Sequence, residues 1–319
     1  MKIKDIYEKA YKRGMELDPR GMDEVNENLK QAKKDYEALS DGRKKNAFDV
    51  ERMNNPYADT RILNGDPETD VKRILVGIDI EVGEIVMADR LKDKGQQIDM
   101  VLAHHPEGRA MASLYDVMEM QSGILNRYGV PIHVAENLMA ERISEVERRL
   151  KPANHTRAVD AAKLFDIPFM CVHTPTDNAV TTYLQDLFDK EEPRYISDVL
   201  DMLSDIQEYE GAATETVGPS IVVGGEKRRA GKIFVDMTGG TGGSSKIYDS
   251  LSNAGVSTIV GMHIGEEHRK EAEKYHIDVV LAGHISSDTL GINLLLDDIL
   301  DDDVEVVSCS GFRRISRKK

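Results

Sequence analysis

Three short segments place histidine, with an aspartate nearby in two of them, just where an apolar run has ended. MVLA is followed by His104-His105-Pro106, FMCV by His173-Thr174-Pro175-Thr176-Asp177, and DVVLAG by His284, with Asp288 four residues further on. In a parallel α/β sheet, ligands gather beyond the carboxyl ends of the strands. A random scatter of nine histidines would rarely reach three such ends. Neighbouring residues of a regular strand face opposite sides. His104 and His105 therefore converge only where the strand has stopped, and Pro106, which lacks an N–H, marks such a break. His284 and Asp288 share one face if a helix begins near Ser286. Asp177 lies near the start of the helix containing Tyr183 and Leu187, where a carboxylate suits a cap as well as a ligand.

Imidazole and carboxylate together suit Zn, Fe, Mn, Co or Ni better than Ca or Mg. A single catalytic zinc takes about three protein ligands. Four or more ligands from three loops fit two divalent transition-metal ions sharing a carboxylate. Two further segments carry chemistry. KIFVDM-TGGTGGSS-KIYDSL sets Gly239, Gly240, Gly242 and Gly243 between a strand and a helix. Backbone amides there could hold an anion such as a phosphate, or the glycines could simply make a turn. The spacing matches neither the P-loop nor the dinucleotide fingerprint. GMHIGEEH brings His263, Glu266, Glu267 and His268, of which Glu266 and His268 are candidates for proton transfer. The plainer reading is a solvated helix start. Asp79, at the end of RILVGIDI, either orients a ligand histidine or caps the next helix.

The elements that must position these groups alternate. Strand-like runs at 73–80, 100–104, 131–135 and 169–173 are separated by amphipathic stretches such as 81–95 and 115–128. After a helical stretch near 196–209 and the loop 210–219, strands at 220–225, 232–237, 257–262 and 278–283 alternate with helices at 244–254 and 266–275. The expectation is an α/β fold of two similar domains with largely parallel sheets facing a central metal site. Residues 1–55 form a helical extension, 56–212 a first domain and 213–319 a second. In the extension, Ile3, Ile6, Tyr7 and Ala10 make one apolar stripe and Leu29, Ala32 and Tyr36 another, with LDPRG between them. That hairpin packs on the domain or on a neighbouring subunit. The RRISRKK end reads as a solvated or disordered tail.

Composition narrows the partners. The 319 residues carry a formal net charge of -15, which argues against nucleic-acid phosphates and anionic membranes as partners. Trp is absent and aromatics are 5%, leaving little for base stacking. Cys171 and Cys309 stand too far apart for a thiolate metal site. The N-terminus lacks a signal-like apolar run, and no segment approaches the roughly 18 apolar residues of a membrane span. The expectation is a cytoplasmic protein.

Taken in order, ILVGID, LAHHP, VHTPTD, MTGGTGGS and AGHISSD resemble the Ngg-interacting-factor-three-like family, also called GTP cyclohydrolase 1 type 2 homologues. The resemblance runs from about Asn64 to about Leu300. It implies a dinuclear centre with His104, His105, Asp177, His284 and Asp288 as metal ligands, Asp288 standing where the family usually has Glu. It places His173 beside the metals. It further implies a metal-dependent hydrolase of a nucleotide, phosphoester or cyclic amide, assembled as a homo-oligomer, often a hexameric ring. A non-catalytic metal-binding or scaffold protein would use the same ligands. The extension is outside the family pattern.

Overall fold

The computed structural model describes residues 1–215 and 217–318. The N-terminal arm comprises α1 (Ile3–Glu16), α2 (Met22–Ala38) and the short α3 (Gly42–Ala47). Ile3, Ile6 and Ala10 of α1 are fully buried. An isoleucine removed from water in this way contributes about 1.5–3 kcal/mol. In α2 only Val25 is buried, so its stripe of Leu29, Ala32 and Tyr36 is covered in part.

Next come β1 (Arg61–Asn64), β2 (Arg73–Gly77), α4 (Val82–Asp93), β3 (Met100–Ala103), and the short α5 (Gly108–Ala112) and α6 (Leu114–Val117). They are followed by α7 (Met120–Tyr128), α8 (Ile132–Leu150), α9 (Arg157–Leu164) and β4 (Phe169–Cys171). The run expected as a strand at 131–135 is instead the start of α8. Pro131 is tolerated as the cap of a helix, and the buried Ala135, Met139 and Val146 continue a helical spacing that the five-residue window is too short to show. The helix expected over 115–128 is broken between α6 and α7.

The remainder holds α10 (Thr174–Glu191), α11 (Ile196–Ser204), α12 (Gln207–Glu215), β5 (Ser220–Val223), β6 (Lys232–Asp236), α13 (Tyr248–Asn253) and β7 (Val256–Gly261). It closes with α14 (Glu266–Lys274), β8 (Asp278–Leu281), α15 (His284–Ile299) and β9 (Glu305–Cys309). The loop expected at 210–219 is therefore helical up to Glu215.

Two mixed, mostly parallel sheets result, as expected. Their strand orders are β1-β4-β3-β2-β9 and β5-β8-β7-β6. Each begins with an edge strand antiparallel to its neighbour, β1 on β4 and β5 on β8, and the other pairings are parallel. Apart from β9 the two connectivities are the same.

The two stretches of chain are interleaved. The last strand, β9, pairs with β2 in the first sheet. Ile292, Leu295, Leu296 and Ile299 of α15 pack on Ile74, Val76, Met100 and Leu102 of the first sheet. Val180, Leu184 and Phe188 of α10 pack on Ile233, Val235, Val260 and Val280 of the second. On the far face of that second sheet, Phe234 and Ile259 meet Ile124, Leu125, Ala135 and Met139 of α7 and α8. A division at 212/213 thus cuts through elements that share a core. Where α10 and α15 cross, a Cβ on Gly291 would collide with the Thr176 carbonyl, so only glycine allows this approach.

The basic tail is docked rather than solvated. Arg317 pairs through both Nη atoms, at 2.8 and 2.6 Å, with Glu208 of α12, whose side chain has no exposed surface. Arg314 and Ser316 bond to Asp297 of α15. Composition alone suggests a solvated end, because the acids that receive these cations come from distant helices.

Candidate metal centre

The three segments meet between the sheets. His104 and His105 follow β3, His173 caps α10 with Asp177 in its first turn, and His284 opens α15 with Asp288 one turn later. Both helices start earlier than the sequence suggests, and His173 and Asp177 stand i,i+4 just as His284 and Asp288 do. The ligand-type atoms gather in three overlapping groups: His104, His105 and His173; His105, His284 and Asp288; His104, Asp177 and Asp288. Each could hold a metal ion.

The separations have a particular size. His104 Nε2 lies 3.4 Å from Asp288 Oδ1 and 3.6 Å from Asp177 Oδ1. His105 Nε2 and His284 Nε2 lie 3.5 and 3.6 Å from Asp288 Oδ2, and His173 Nε2 lies 3.6 Å from Asp177 Oδ2. These are long for hydrogen bonds. They match the edge of a tetrahedron around one ion, which is about 3.3–3.6 Å for ligand bonds of 2.0–2.2 Å. Asp288 is 1% exposed, yet both its oxygens and His104 Nε2 are buried without any hydrogen-bond partner. Buried polar atoms of this kind are costly. A shared cation is the partner that would satisfy all three.

The far side of three of the imidazoles is already fixed. His104 Nδ1 donates to Thr176 Oγ1 at 2.8 Å, while that hydroxyl donates to the His173 carbonyl at 2.6 Å. His105 Nδ1 donates to Asp79 at 2.7 Å, so Asp79 takes the orienting role. His173 Nδ1 donates to Asp59 at 2.9 Å, and Thr174 Oγ1 donates to the same carboxylate oxygen at 2.7 Å. In the neutral form of these three rings Nδ1 holds the proton and Nε2 turns a lone pair toward the cluster. Asp59 is the functional residue that sequence reasoning missed. It lies in an irregular segment before β1, and only the polar run Asp59-Thr60-Arg61 hints at it.

The electrostatics fit the same use. Burial, with Asp288 and Asp59 nearby, pushes Asp177 up to about 7 against the pull of His173 and His104. Burial disfavours the His173 cation, but Asp177 and Asp59 push it up to about 9. Burial and the neighbouring His104 and His173 bring His105 down to about 4. A cation between these groups would favour the ionised carboxylates and neutral imidazoles that bind metal.

The chain is similar to a NIF3 superfamily protein from Sphaerobacter thermophilus, at 28% identity over 80% of this chain and 91% of that one, with a TM-score of 0.69. Its fold is that of the NIF3 superfamily. More distant likenesses include reduced HcgD from Methanocaldococcus jannaschii, at 16% identity over 77% and 87% of the two chains and a TM-score of 0.49. Another is a NIF3-related protein from Bacillus cereus, at 10% identity over 79% and 90% and a TM-score of 0.40. No family model and no curated protein matches the chain.

Within this NIF3-type fold the segment after β7 departs from expectation. Glu266 is exposed, and Arg269 and Lys270 engage its two oxygens and hold its carboxyl down at about 2. That carboxylate is unsuited to carrying a proton near neutrality. His268 sits against Tyr248, with rings 5.7 Å apart, and belongs to none of the three ligand groups. The histidine this segment does bring to the cluster is His263, whose ring lies 5.1 Å from that of His284.

The glycine turn also has a structural task. Gln121 donates through Nε2 to the Gly239 and Thr241 carbonyls at 2.6 and 2.7 Å, and Arg142 donates to the Gly242 carbonyl at 3.0 Å. Gly239 has φ +104° and Gly240 +85°. A Cβ at Gly239 or Gly243 would meet Gln121 at 2.5 Å. The turn is bound to α7 and α8 through its carbonyls, and Gly242 approaches His263. No described helix has the length and apolarity to cross a membrane.

Proposed function

We propose that this chain is a divalent-metal-dependent hydrolase of a small molecule bearing a phosphoester or amide, with two transition-metal ions per chain. The observation that carries the reading is Asp288, fully buried with both carboxylate oxygens unpartnered and each facing a different set of donors. Asp288 Oδ1 with His104, His173 and Asp177 would hold one ion. Asp288 Oδ2 with His105 and His284 would hold the other and leave it room for a further ligand. Mixed imidazole and carboxylate donors suit Zn, Fe, Mn, Co or Ni. When bound, such ions supply Lewis acidity and lower the pKa of water.

The chain's own residues have separable duties in this reading. Asp79, Thr176 and Asp59 hold His105, His104 and His173 in the ligating tautomer. His284, whose side chain is 42% exposed, marks the open side from which a substrate enters. His263 stands beside that opening and takes the proton-transfer role in place of Glu266 and His268. The Gly239–Gly243 turn lies beside the site, held through its carbonyls by Gln121 and Arg142, and its backbone amides remain the candidate for an anionic group of the substrate. A cytoplasmic homo-oligomer belongs to the same proposal.

Elemental analysis and a hydrolysis screen of metal-restored protein test it. About two ions per chain, with turnover that disappears on chelation and returns with metal, supports the proposal. Turnover that survives complete metal removal defeats it.

A further inference from the structure

The N-terminal arm reaches the metal turn at Pro175 and Asn178. Gly14 of α1 lies against Pro175, so closely that a Cβ there would come within 2.8 Å of Pro175 Cβ and 2.9 Å of its Cα. Pro175 is flanked by His173 and Asp177. One residue beyond Asp177, the fully buried Asn178 donates through Nδ2 to the Gly14 carbonyl at 3.0 Å and lies 3.2 Å from the Tyr57 hydroxyl. Its Oδ1 accepts from Thr238 Oγ1 at 2.6 Å. Tyr57 in turn donates to Asp18 at 2.9 Å, and Asp18 is locked by Arg20 through bonds of 2.9 and 2.8 Å. Thr182, one turn along α10, donates to the Leu17 carbonyl at 2.7 Å.

The position of Asn178 is informative because the two sheets share a connectivity. Val172 N–H donates to the Ala103 carbonyl in the first sheet, and Ala282 N–H donates to the Gly261 carbonyl in the second. Counting on from these matched points, Asn178 corresponds to Asp288. One half has a bare carboxylate at this place. The other has an amide whose oxygen and nitrogen both have partners, one on the arm and one at the end of β6.

We propose that the N-terminal arm is a positioning element for the metal turn, with Asn178 as the positioning residue that ties α1 and Tyr57 to the first turn of α10. This rests on the metal reading above. It adds that the arm sets the affinity of one ion of the pair, the one faced by His173 and Asp177. The ion faced by His105 and His284 is anchored by β3 and the first turn of α15, whereas α1 bonds α15 near its far end, through Arg13 to Asp298 at 2.6 Å, so the arm does not set that ion's affinity.

The test is a Co²⁺ titration of chelator-stripped full-length protein, followed by visible absorption and by competition with a chelator. In Asn178→Ala, one binding step weakens about 10–100-fold, as outer partners of ligands typically cost, and its absorption band changes at saturation. The other step keeps its wild-type affinity. Thr238→Val, which removes only the hydroxyl, moves the same step in the same direction, and Thr238→Ser restores it. Should Asn178→Ala not fold, Tyr57→Phe, which removes the hydroxyl between Asp18 and Asn178, carries the test with the same expected outcome. Two unchanged steps in folded variants overturn the proposal. So does an equal weakening of both steps that follows a lowered Tm of the metal-free protein, because that is general destabilisation. Asp288→Ala separates the two claims: if it keeps both steps, the metal reading itself fails, whatever Asn178 does.

Discussion

The ends of the two sheets are built on one plan and equipped differently. Beyond β3 stand His104 and His105; beyond β7, at the matching places, stand Met262 and His263. Beyond β2 lies Asp79, which orients a histidine, whereas beyond β6 lies the glycine turn held by Gln121. Beyond β4 and β8 each half offers a histidine with an aspartate at i+4, but the pairs are displaced by one residue along their helices. That displacement puts Asp288 under both imidazoles beyond β3 and turns Asn178 toward Thr238 and the arm. A duplicated scaffold therefore makes one cluster rather than two. The first sheet supplies most of the donors, the second supplies the shared carboxylate, and α10 and α15 cross to bring them together.

The largest effect that could break this comparison is at Asp288. Asp288→Ala is expected to abolish binding of both ions, read by elemental analysis, whereas its counterpart Asn178→Ala weakens only one. His263→Ala tests what the second sheet contributes to chemistry. It should cost about 10²–10⁴-fold in kcat with the metal content unchanged; a loss of metal would instead make His263 a ligand.

Smaller effects sharpen the picture. Asp59→Ala should weaken metal binding by about 10–100-fold, since His173 then loses the acceptor that fixes its tautomer. Metal affinity should also fall as pH drops below about 7. Binding requires the carboxylate form of Asp177, whose folded-state value burial raises to about 7. Below that value Asp177 must give up a proton to bind the ion it faces, and His173, held at about 9, must give up one as well, so the affinity for that ion goes on rising toward pH 9; an affinity flat from pH 6 to 8 would contradict the assignment. The smallest effect is expected at the tail. Arg317→Ala takes the cation from the buried Glu208, which keeps Asn293 Nδ2 at 3.0 Å, and should cost about 1–3 kcal/mol in a denaturant melt while leaving the metal steps intact.

Much of the cluster was legible before the fold was known, because ligand chemistry leaves residue types that can be read after apolar runs. His104, His105, His173, Asp177, His284 and Asp288 all meet, and Asp79 orients as one of its two readings had it. What escaped depends on contacts between distant segments. Asp59 belongs to no regular element, and its role appears only when β1 pairs with β4 and carries it to His173. β9 is short and half-exposed, so its placement in the first sheet left no alternation to read. Glu266 looked like an acid at a strand end, but Arg269, one helical turn away, is the nearer claimant. The arm was visible as helices and silent about purpose, since the Gly14 contact with Pro175 is a matter of backbone approach rather than side-chain type.

The central claim is that one buried carboxylate from the second sheet joins two ions held mainly by the first. The measurement that bears on it most directly is the tightly bound divalent-metal content of wild-type and Asp288→Asn protein, each stripped, reloaded and desalted. The account predicts about two ions per chain in the wild type and none retained by a folded Asp288→Asn. A wild type that retains no metal, or a variant that keeps both ions, would contradict it.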